Sequence, residues 1–175
     1  MRLIRILAVF SALLLGTESA KATPLALLVD PDGSTYLYNT TPNPISFDGY
    51  QLASETLRLD PVGWKSIADY VAGGQITDVI AALGAGGLAF GEANPGPGNL
   101  AELNLGGAGI LQGGAKFYIG KPFLDSYPNA YVDFFYKIAG DPSSITGDFV
   151  EIPEPSSWLL ASMAGLGLLA ARRFR

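Results

Sequence analysis

The central part of the chain, residues 23–150, carries short runs of alternating apolar and polar positions separated by glycine and proline. The alternation is clear in Ile45–Leu52, as expected for a strand with one buried face. Asp30–Gly33 separates two apolar runs and predicts a hairpin turn, because glycine accepts the positive φ that such turns require. Further strands are predicted at 24–29, 35–38, 56–59, 101–105, 109–111, 116–119, 131–138 and 145–152. Many short strands favour a mainly β single domain, an antiparallel β-sandwich or a jelly roll.

The hydrophobic period changes between the two groups of strands. Trp64–Val71 and Ile76–Leu83 place apolar residues at helical spacing, which predicts two short helices, the second ending at Gly84. Residues 85–99 contain Gly-Gly and Asn-Pro-Gly-Pro-Gly and are predicted to form a loop. The domain is therefore expected to be a β structure with one or two short helices in its middle.

Residues 1–22 have the pattern of a secretory signal peptide. A basic start, Met1–Arg5, is followed by the apolar run Ile6–Gly16 and by the small residues Ala20 and Ala22. Cleavage after Ala22 would leave Thr23 as the first residue of the mature chain. A retained anchor helix is the alternative, but the apolar run is well short of the ~20 residues that span a membrane. We therefore predict an exported protein whose N-terminal signal helix is removed by signal peptidase.

The C-terminal residues 151–175 combine three features. Pro153, Glu154 and Pro155 are predicted to stay extended, because proline disfavours helix at and before its own position. The apolar run 158–171 would form a transmembrane helix, since lipid offers no water to its amide groups. A cluster of arginines would hold the end of the chain on the cytoplasmic side, namely Arg172, Arg173 and Arg175.

Together these features resemble the PEP-CTERM sorting signal, here over residues 152–175. In that family an exosortase, a membrane cysteine protease of exopolysaccharide-producing bacteria, recognises the tail. The resemblance implies transient anchoring in the membrane and then a place at the cell surface or in the extracellular matrix, with exopolysaccharide as a candidate partner. The alternative is a plain C-terminal anchor, for which fourteen apolar residues cover only about two-thirds of a ~30 Å hydrocarbon core.

The segment 23–150 also resembles a little-characterised β-rich module that often precedes such tails. The residues that carry this resemblance include Asp48–Tyr50, Leu52, Trp64, Glu102–Leu105, Gly113, Gly114 and Phe134. The resemblance implies a β-rich fold and no known activity, and Gln75–Gly87 would be an insertion within it.

Composition excludes several kinds of chemistry. The chain has no histidine and no cysteine, which removes the commonest general base, thiol chemistry and structural zinc. Residues 23–150 hold thirteen acidic and five basic residues, a net charge of −8, so nucleic-acid binding is disfavoured. We predict a non-catalytic protein that needs no cofactor.

Carboxylate pairs remain the simplest route to hydrolysis, as in glycosidases. Most acidic residues lie in turns, where they stabilise turn geometry, but Glu102 and Asp133 lie in predicted strands. A pairing of these two would be the basis of a hydrolase, the less favoured alternative. Asp30 and Asp32 suggest a calcium loop, but the other ligands of an EF-hand are missing. A plain hairpin turn without metal is therefore favoured there.

Aromatic residues support a further alternative, a carbohydrate-binding module. Trp64 and Tyr131 are the candidate ligand platform, because sugar faces stack on exposed rings. Alternation along residues 131–136 places Tyr131, Asp133 and Phe135 on one face and the core residues on the other. Packing inside the fold is nevertheless the usual role of aromatic residues in β structures, so Trp64 is predicted to fill the core.

Overall fold

The computed structural model describes residues 23–124 and 131–151. The predicted signal peptide, with Ala20 and Ala22, and the predicted sorting tail lie outside these residues. The strands are β1 Leu25–Val29, β2 Thr35–Asn39, β3 Ile45–Ala53, β4 Phe90–Glu92, β5 Asn99–Asn104, β6 Gly109–Leu111, β7 Lys116–Tyr118, β8 Asp133–Ile138, β9 Ser144–Thr146 and β10 Asp148–Glu151. The helices are α1 Ile67–Ala72 and α2 Ile76–Leu83, followed by a 3-10 helix at Ala85–Ala89. Within the described ranges, no helix is long and apolar enough to cross a membrane.

The first sheet has the strand order β10-β1-β2-β7. β1 and β2 form the predicted antiparallel hairpin, with Gly33 in the turn at a φ of +83°. β10 runs parallel to β1, with Ala26 opposite Asp148 and Val29 opposite Glu151. The prediction of a wholly antiparallel arrangement is therefore wrong in this sheet, because its last strand joins the edge in the same direction as the first.

The second sheet has the order β4-β5-β3-β8-β9, and β6 pairs with the first residues of β3. The strand pairs recorded for it are antiparallel. The long strand β3 lies between β5 and β8 and contains an irregularity at Asp48, where its register with β8 shifts between Phe47 and Gly49. The fold is thus mainly β, with two sheets and two short helices, which is consistent with a β-sandwich.

Buried apolar side chains from both sheets and both helices form one core cluster. Leu27 and Leu37 from the first sheet are fully buried, as are Phe47, Leu52 and Phe134 from the second. A shared core of this kind is expected when each sheet has one apolar face to remove from water.

Both predicted helices are present. α2 has its predicted bounds. α1 begins at Ile67 rather than at Trp64, because Ser66 caps it. The Ser66 hydroxyl accepts a hydrogen bond from the backbone N–H of Asp69, and the Asp69 carboxylate accepts one from the backbone N–H of Ser66.

Two predictions between the strand groups are wrong. Residues 56–59 do not form a strand, and Leu59 makes only an isolated bridge with Phe123. The predicted loop 85–99 contains the 3-10 helix and β4. β4 pairs with β5 over three residues, so pairing with a neighbouring strand overrides the loop-like glycine content there.

The strand predicted at 145–152 is divided in two. β9 pairs with β8 in the second sheet, and β10 pairs with β1 in the first. Gly147 lies between them, where a Cβ atom would overlap the ring of Phe134. Glycine therefore lets the chain pass close to the core as it crosses from one sheet to the other.

Candidate functional site

The fold buries one acidic side chain where α1 meets the second sheet. Glu102 lies on β5 and is 0% exposed. Its carboxylate oxygens accept hydrogen bonds from the backbone N–H groups of Ile67 at 2.8 Å and of Ala68 at 2.9 Å. These are the first amides of α1, which have no acceptor within the helix. Glu102 therefore fixes the start of α1 to the sheet.

Two aromatic side chains extend this arrangement. Tyr50 lies opposite Glu102 in the register of β3 and β5, and its hydroxyl donates to the carboxylate at 2.5 Å. The indole N–H of Trp64 donates to the Tyr50 hydroxyl at 3.2 Å, and the two rings meet edge to face with centroids 6.5 Å apart. All three side chains are buried. We call Glu102, Tyr50 and Trp64 the Glu102 network.

Burial dominates the electrostatics of this network. It raises the pKa of Glu102 from 4.5 to about 7, because the ionised carboxylate loses its hydration in the core. The hydrogen bonds that Glu102 accepts lower its pKa, and the charge of Glu92 raises it further. Glu92 lies close because its carboxylate accepts a hydrogen bond from the Ser66 hydroxyl at 2.7 Å. Burial, and then the charge of Glu102, raises the pKa of Tyr50 well above its usual value.

Access decides what such a carboxyl group can do, since raised pKa values also occur in catalytic acids. Glu102 has no exposed surface, so no substrate reaches it in this structure. Asp133, the possible partner from the sequence analysis, lies exposed on β8. Its strand neighbour Phe134 is fully buried, so Asp133 faces away from the core that contains Glu102. The two carboxylates do not converge.

A concave surface of about 310 Å³ lies on the outer face of the second sheet. Gly49 and Ala101 contribute little or no side chain, which opens space beside the larger Leu103 and Phe135. A Cβ atom at Gly49 would lie 2.8 Å from Leu103, so the position of that leucine depends on glycine. Polar side chains also line this surface, which we call the outer groove, including Gln51, Asn99, Lys137 and Ser144.

The outer groove combines apolar surface with a few polar groups, as ligand sites do. The side-chain amide of Gln51 donates to the side-chain oxygen Oδ1 of Asn99 at 2.7 Å, which orients both groups at the surface. The Lys137 ammonium lies 3.7 Å from the Asp48 carboxylate. Phe135 is half-buried and offers one ring, which is fewer than an aromatic platform would use.

Tyrosines occupy the outer face of the first sheet. Tyr36 lies directly opposite Tyr118, and their rings are 5.3 Å apart with planes inclined by 52°. The ammonium of Lys116 lies 4.1 Å from the centre of the Tyr36 ring. These rings are half-buried and tilted, so they do not form the flat exposed surface on which a sugar face would stack.

The two rings proposed from the sequence as a ligand platform have different positions. Trp64 is 4% exposed, so its ring is not accessible to a ligand and fills the core as predicted. Tyr131 is 48% exposed, with the guanidinium of Arg58 5.9 Å from its ring centre. Of the two, Tyr131 alone could touch a sugar in this structure.

The turn with Asp30 and Asp32 is held by protein groups. The Asp32 carboxylate accepts hydrogen bonds from the backbone N–H and the hydroxyl of Ser34, and from Lys121 at 3.1 Å. These bonds, that of the Ser34 backbone first, lower the pKa of Asp32. In residues 23–124 and 131–151 no group of three or more His, Cys, Asp or Glu side chains is placed to hold a metal. The turn therefore has the geometry of the predicted hairpin.

Comparison with protein-family models, with curated proteins and with solved structures finds no match for this chain. The sequence analysis missed the Glu102 network and the outer groove. The alternation of β5 is the signal that could have found the first, because Leu100 and Glu102 fall on one face of the strand. The outer groove depends on the lateral register of three strands, for which the sequence carries no comparable signal.

Proposed function

We propose that this chain is an exported, non-catalytic protein of the cell surface or extracellular matrix, processed at its C-terminal tail by an exosortase. The observation that carries the proposal is the presence of two complementary end segments on one chain, residues 1–22 and 152–175. A sorting tail is useful only on a protein that is exported, so the two predicted end segments support each other. Between them we infer an antiparallel β-sandwich with one parallel edge pair.

The first described residue supports the proposed cleavage by signal peptidase. The backbone N–H of Thr23 donates to the Asp148 carboxylate at 2.9 Å, and its hydroxyl donates to the same carboxylate at 3.0 Å. The Thr23 carbonyl accepts a hydrogen bond from the Thr40 hydroxyl at 2.7 Å. A cut after Ala22 would leave these contacts in place, so the mature chain would begin on an anchored residue.

Before processing, the helix at 158–171 would hold the protein in the membrane, with Arg172, Arg173 and Arg175 on the cytoplasmic side. Pro153, Glu154 and Pro155 would form the extended segment that the exosortase recognises. The complete burial of Glu102 supports the non-catalytic part of the proposal, because a substrate cannot contact a buried carboxyl group. The net charge of −8 on residues 23–150 argues against nucleic acid as a partner.

The test is processing in the native host. Replacing Pro153, Glu154 and Pro155 with alanine is expected to leave the chain uncut in the membrane, because the segment could then continue as helix. Replacing the neighbouring Ser156 and Ser157 with alanine is the matched control and should be processed. The mass of the mature surface protein reports the result, and a wild-type chain that still ends at Arg175 would contradict the proposal.

A second candidate function, binding of exopolysaccharide, is favoured by the outer groove. Its apolar surface beside Gln51 and Asn99 has the mixed character of a sugar-binding site. Phe135→Ala should then weaken retardation of the protein in gels containing polysaccharide from the native host. Tyr36→Ala, on the outer face of the other sheet, should leave retardation unchanged. Equal retardation of both variants and the wild type would exclude the outer groove as the binding surface.

A further inference from the structure

Three large apolar side chains are exposed on two neighbouring segments. Val62 is 95% exposed, Leu57 61% and Leu124 59%. The two segments are held together by backbone hydrogen bonds, from Leu124 N–H to the Arg58 carbonyl at 3.1 Å and from Asp60 N–H to the Pro122 carbonyl at 2.8 Å. We call Leu57, Val62 and Leu124 the apolar tip.

Leu57 is held in an unusual backbone conformation. Its φ is +58°, in the left-handed region that residues other than glycine and asparagine rarely adopt. Its N–H donates to the Ser54 carbonyl at 3.3 Å, and the next N–H, that of Arg58, donates to the Ser54 hydroxyl at 3.1 Å. The turn therefore keeps a leucine in a strained conformation and 61% exposed. Strain retained at an exposed apolar residue points to a role for that residue.

The apolar tip lies at the end of the fold where the chain leaves β10. Glu151, the last residue of β10, is opposite Val29, and Val29 is opposite Thr35. The backbone N–H of Thr35 donates to the Gly120 carbonyl at 2.9 Å. Gly120 therefore lies at the same end of the first sheet as Glu151, and residues 121–124 follow it there.

Aromatic packing supports the same placement. Phe149 of β10 packs against Phe123, with ring centroids 6.3 Å apart. Phe123 is the residue directly before Leu124 of the apolar tip. The last strand before the C-terminal segment and the apolar tip are therefore neighbours.

We propose that the apolar tip rests in the interface of the lipid bilayer while the C-terminal helix is inserted in it. This inference rests on the proposed function, since it requires the tail to be in the membrane. Six residues, 152–157, separate Glu151 from the apolar run that begins at Trp158. Fully extended, the seven steps from Glu151 to Trp158 span about 24 Å, so the strand end is tethered within that distance of the bilayer. Apolar side chains that close to the bilayer are stabilised when they move from water into the headgroup boundary.

The contact is apolar rather than electrostatic. Two cations lie at this end of the fold, Lys121, which is paired with Asp32 at 3.1 Å, and Arg58, whose charge is offset by Glu55 and Asp60 close to it in sequence. Attraction to anionic lipid is therefore not expected, and the contact should be insensitive to ionic strength. A bilayer of neutral phosphatidylcholine is the appropriate surface for a test.

Leu105 provides a matched control. It is 87% exposed, as large and as apolar as the residues of the apolar tip. It follows the end of β5 at Asn104. The other end of that strand is Asn99, and the residue before it, Gly98, lies against Leu57 and accepts a hydrogen bond from the backbone N–H of Ser54. The proposal therefore places Leu105 away from the bilayer.

The experiment uses the full chain, in which a new cysteine is unique because the sequence has none. Val62→Cys and Leu105→Cys, each labelled with an environment-sensitive fluorophore, are reconstituted in phosphatidylcholine vesicles containing lipid with a nitroxide near the headgroup. Quenching is expected to be several-fold stronger at position 62 than at position 105, and equal at low and high salt. Flotation with the vesicles of the chain that begins at Thr23, which lacks the apolar run at residues 6–16, shows separately whether the tail has inserted.

The outcomes distinguish this inference from the function on which it rests. Flotation with weak quenching at both positions would contradict the contact of the apolar tip with the bilayer, but not the proposed membrane insertion of the tail. Strong quenching of equal size at positions 62 and 105 would contradict the proposed orientation, in which the apolar tip faces the bilayer and Leu105 does not. Failure to float would overturn both proposals. If the label at position 62 reports an apolar environment that depends on protein concentration and not on lipid, the apolar tip would instead bind a second copy of this chain.

A second set of variants tests the side chains themselves. With the label on Leu124→Cys, the double change Leu57→Asn and Val62→Ser should reduce quenching several-fold. Asparagine is chosen at position 57 because it tolerates a positive φ, so the turn should keep its shape. Leu105→Ser with the same label should leave quenching unchanged. A reduction in both chains alike would contradict the proposal.

Discussion

Glu102 and Asp32 are both acidic side chains that accept three hydrogen bonds, yet their surroundings differ completely. Glu102 is fully buried between α1 and the second sheet, whereas the Asp32 side chain is 63% exposed in the turn between β1 and β2. Burial raises the pKa of Glu102 to about 7, and the hydrogen bond from the Ser34 backbone is the largest cause that lowers the pKa of Asp32. Similar hydrogen bonds thus have opposite outcomes, because loss of water outweighs them in the core and not at the surface.

This difference has a consequence for stability. A buried group that holds a helix to a sheet cannot be replaced by water when it is removed. An exposed ion pair can be replaced by water at little cost. We therefore expect changes to the Glu102 network to dominate and changes at Asp32 to be small.

The largest effect is expected from Glu102→Ala. It would leave the N–H groups of Ile67 and Ala68 without acceptors and open a cavity, for a loss of about 3–5 kcal/mol in the free energy of unfolding. Asp133→Ala on the exposed face of the same sheet is the control and should change stability by less than about 0.5 kcal/mol. Urea denaturation of both variants and the wild type measures the difference. Similar losses at the two positions would contradict the assigned role of Glu102.

Glu102 should also make stability depend on pH. Its pKa in the fold, about 7, is above the usual 4.5, so the folded state binds more protons between these values. The contribution of Glu102 to the unfolding free energy should therefore be most favourable below about pH 4.5 and fall by about 3 kcal/mol as pH rises towards 7. Glu102→Gln lacks this titration and should lose the decline. Parallel pH profiles for the two proteins would show that a group other than Glu102 is responsible.

A smaller effect is expected from Tyr50→Phe. This change removes the hydroxyl that donates to Glu102 and accepts from Trp64. The loss of a hydrogen bond to a charged group is expected to cost about 2 kcal/mol, more at pH 8 than at pH 5 because the carboxylate is then ionised. Tyr38→Phe, on the outer face of the first sheet, is the control. If the loss in the free energy of unfolding is the same at both pH values, the Tyr50 hydroxyl does not act through the ionisation of Glu102.

The smallest effect is expected at the turn. Asp32→Ala should shift the melting temperature by no more than about two degrees, because the pair with Lys121 is solvent-exposed. Melts of the wild type with millimolar calcium and with chelator should coincide within the same margin. A large shift that Asp32→Ala abolishes would instead identify Asp30 and Asp32 as a calcium site.

Local patterns predicted the elements whose signal lies within a few residues. The β1–β2 hairpin follows from the Asp-Gly turn, and α2 follows from its apolar period, so both have nearly their predicted bounds. The alternation of residues 131–136 correctly separated the exposed Tyr131 from the buried Phe134. Each of these features depends on side chains close in sequence, which is why periodicity is sufficient.

The candidate sites were less predictable. Among the acids, the turn of Asp30 and Asp32 has a motif that can be recognised in sequence, whereas Glu102 lies in an ordinary alternating run. Its carboxylate binds the first amides of α1, and its partners Tyr50 and Ile67 are 52 and 35 residues away. Contacts at such separation leave no local signature in one sequence.

The sequence by itself determined that the middle of the chain is β-rich, because short-range period is enough to mark strands. It also predicts the two end segments from their composition. Only the tertiary structure decided where the strands belong. The sequence pattern predicts one strand over residues 145–152, but the chain crosses at Gly147, so β9 completes one sheet and β10 pairs parallel to β1 in the other. Pairing partners and burial are properties of distant segments brought together, and no local pattern specifies them.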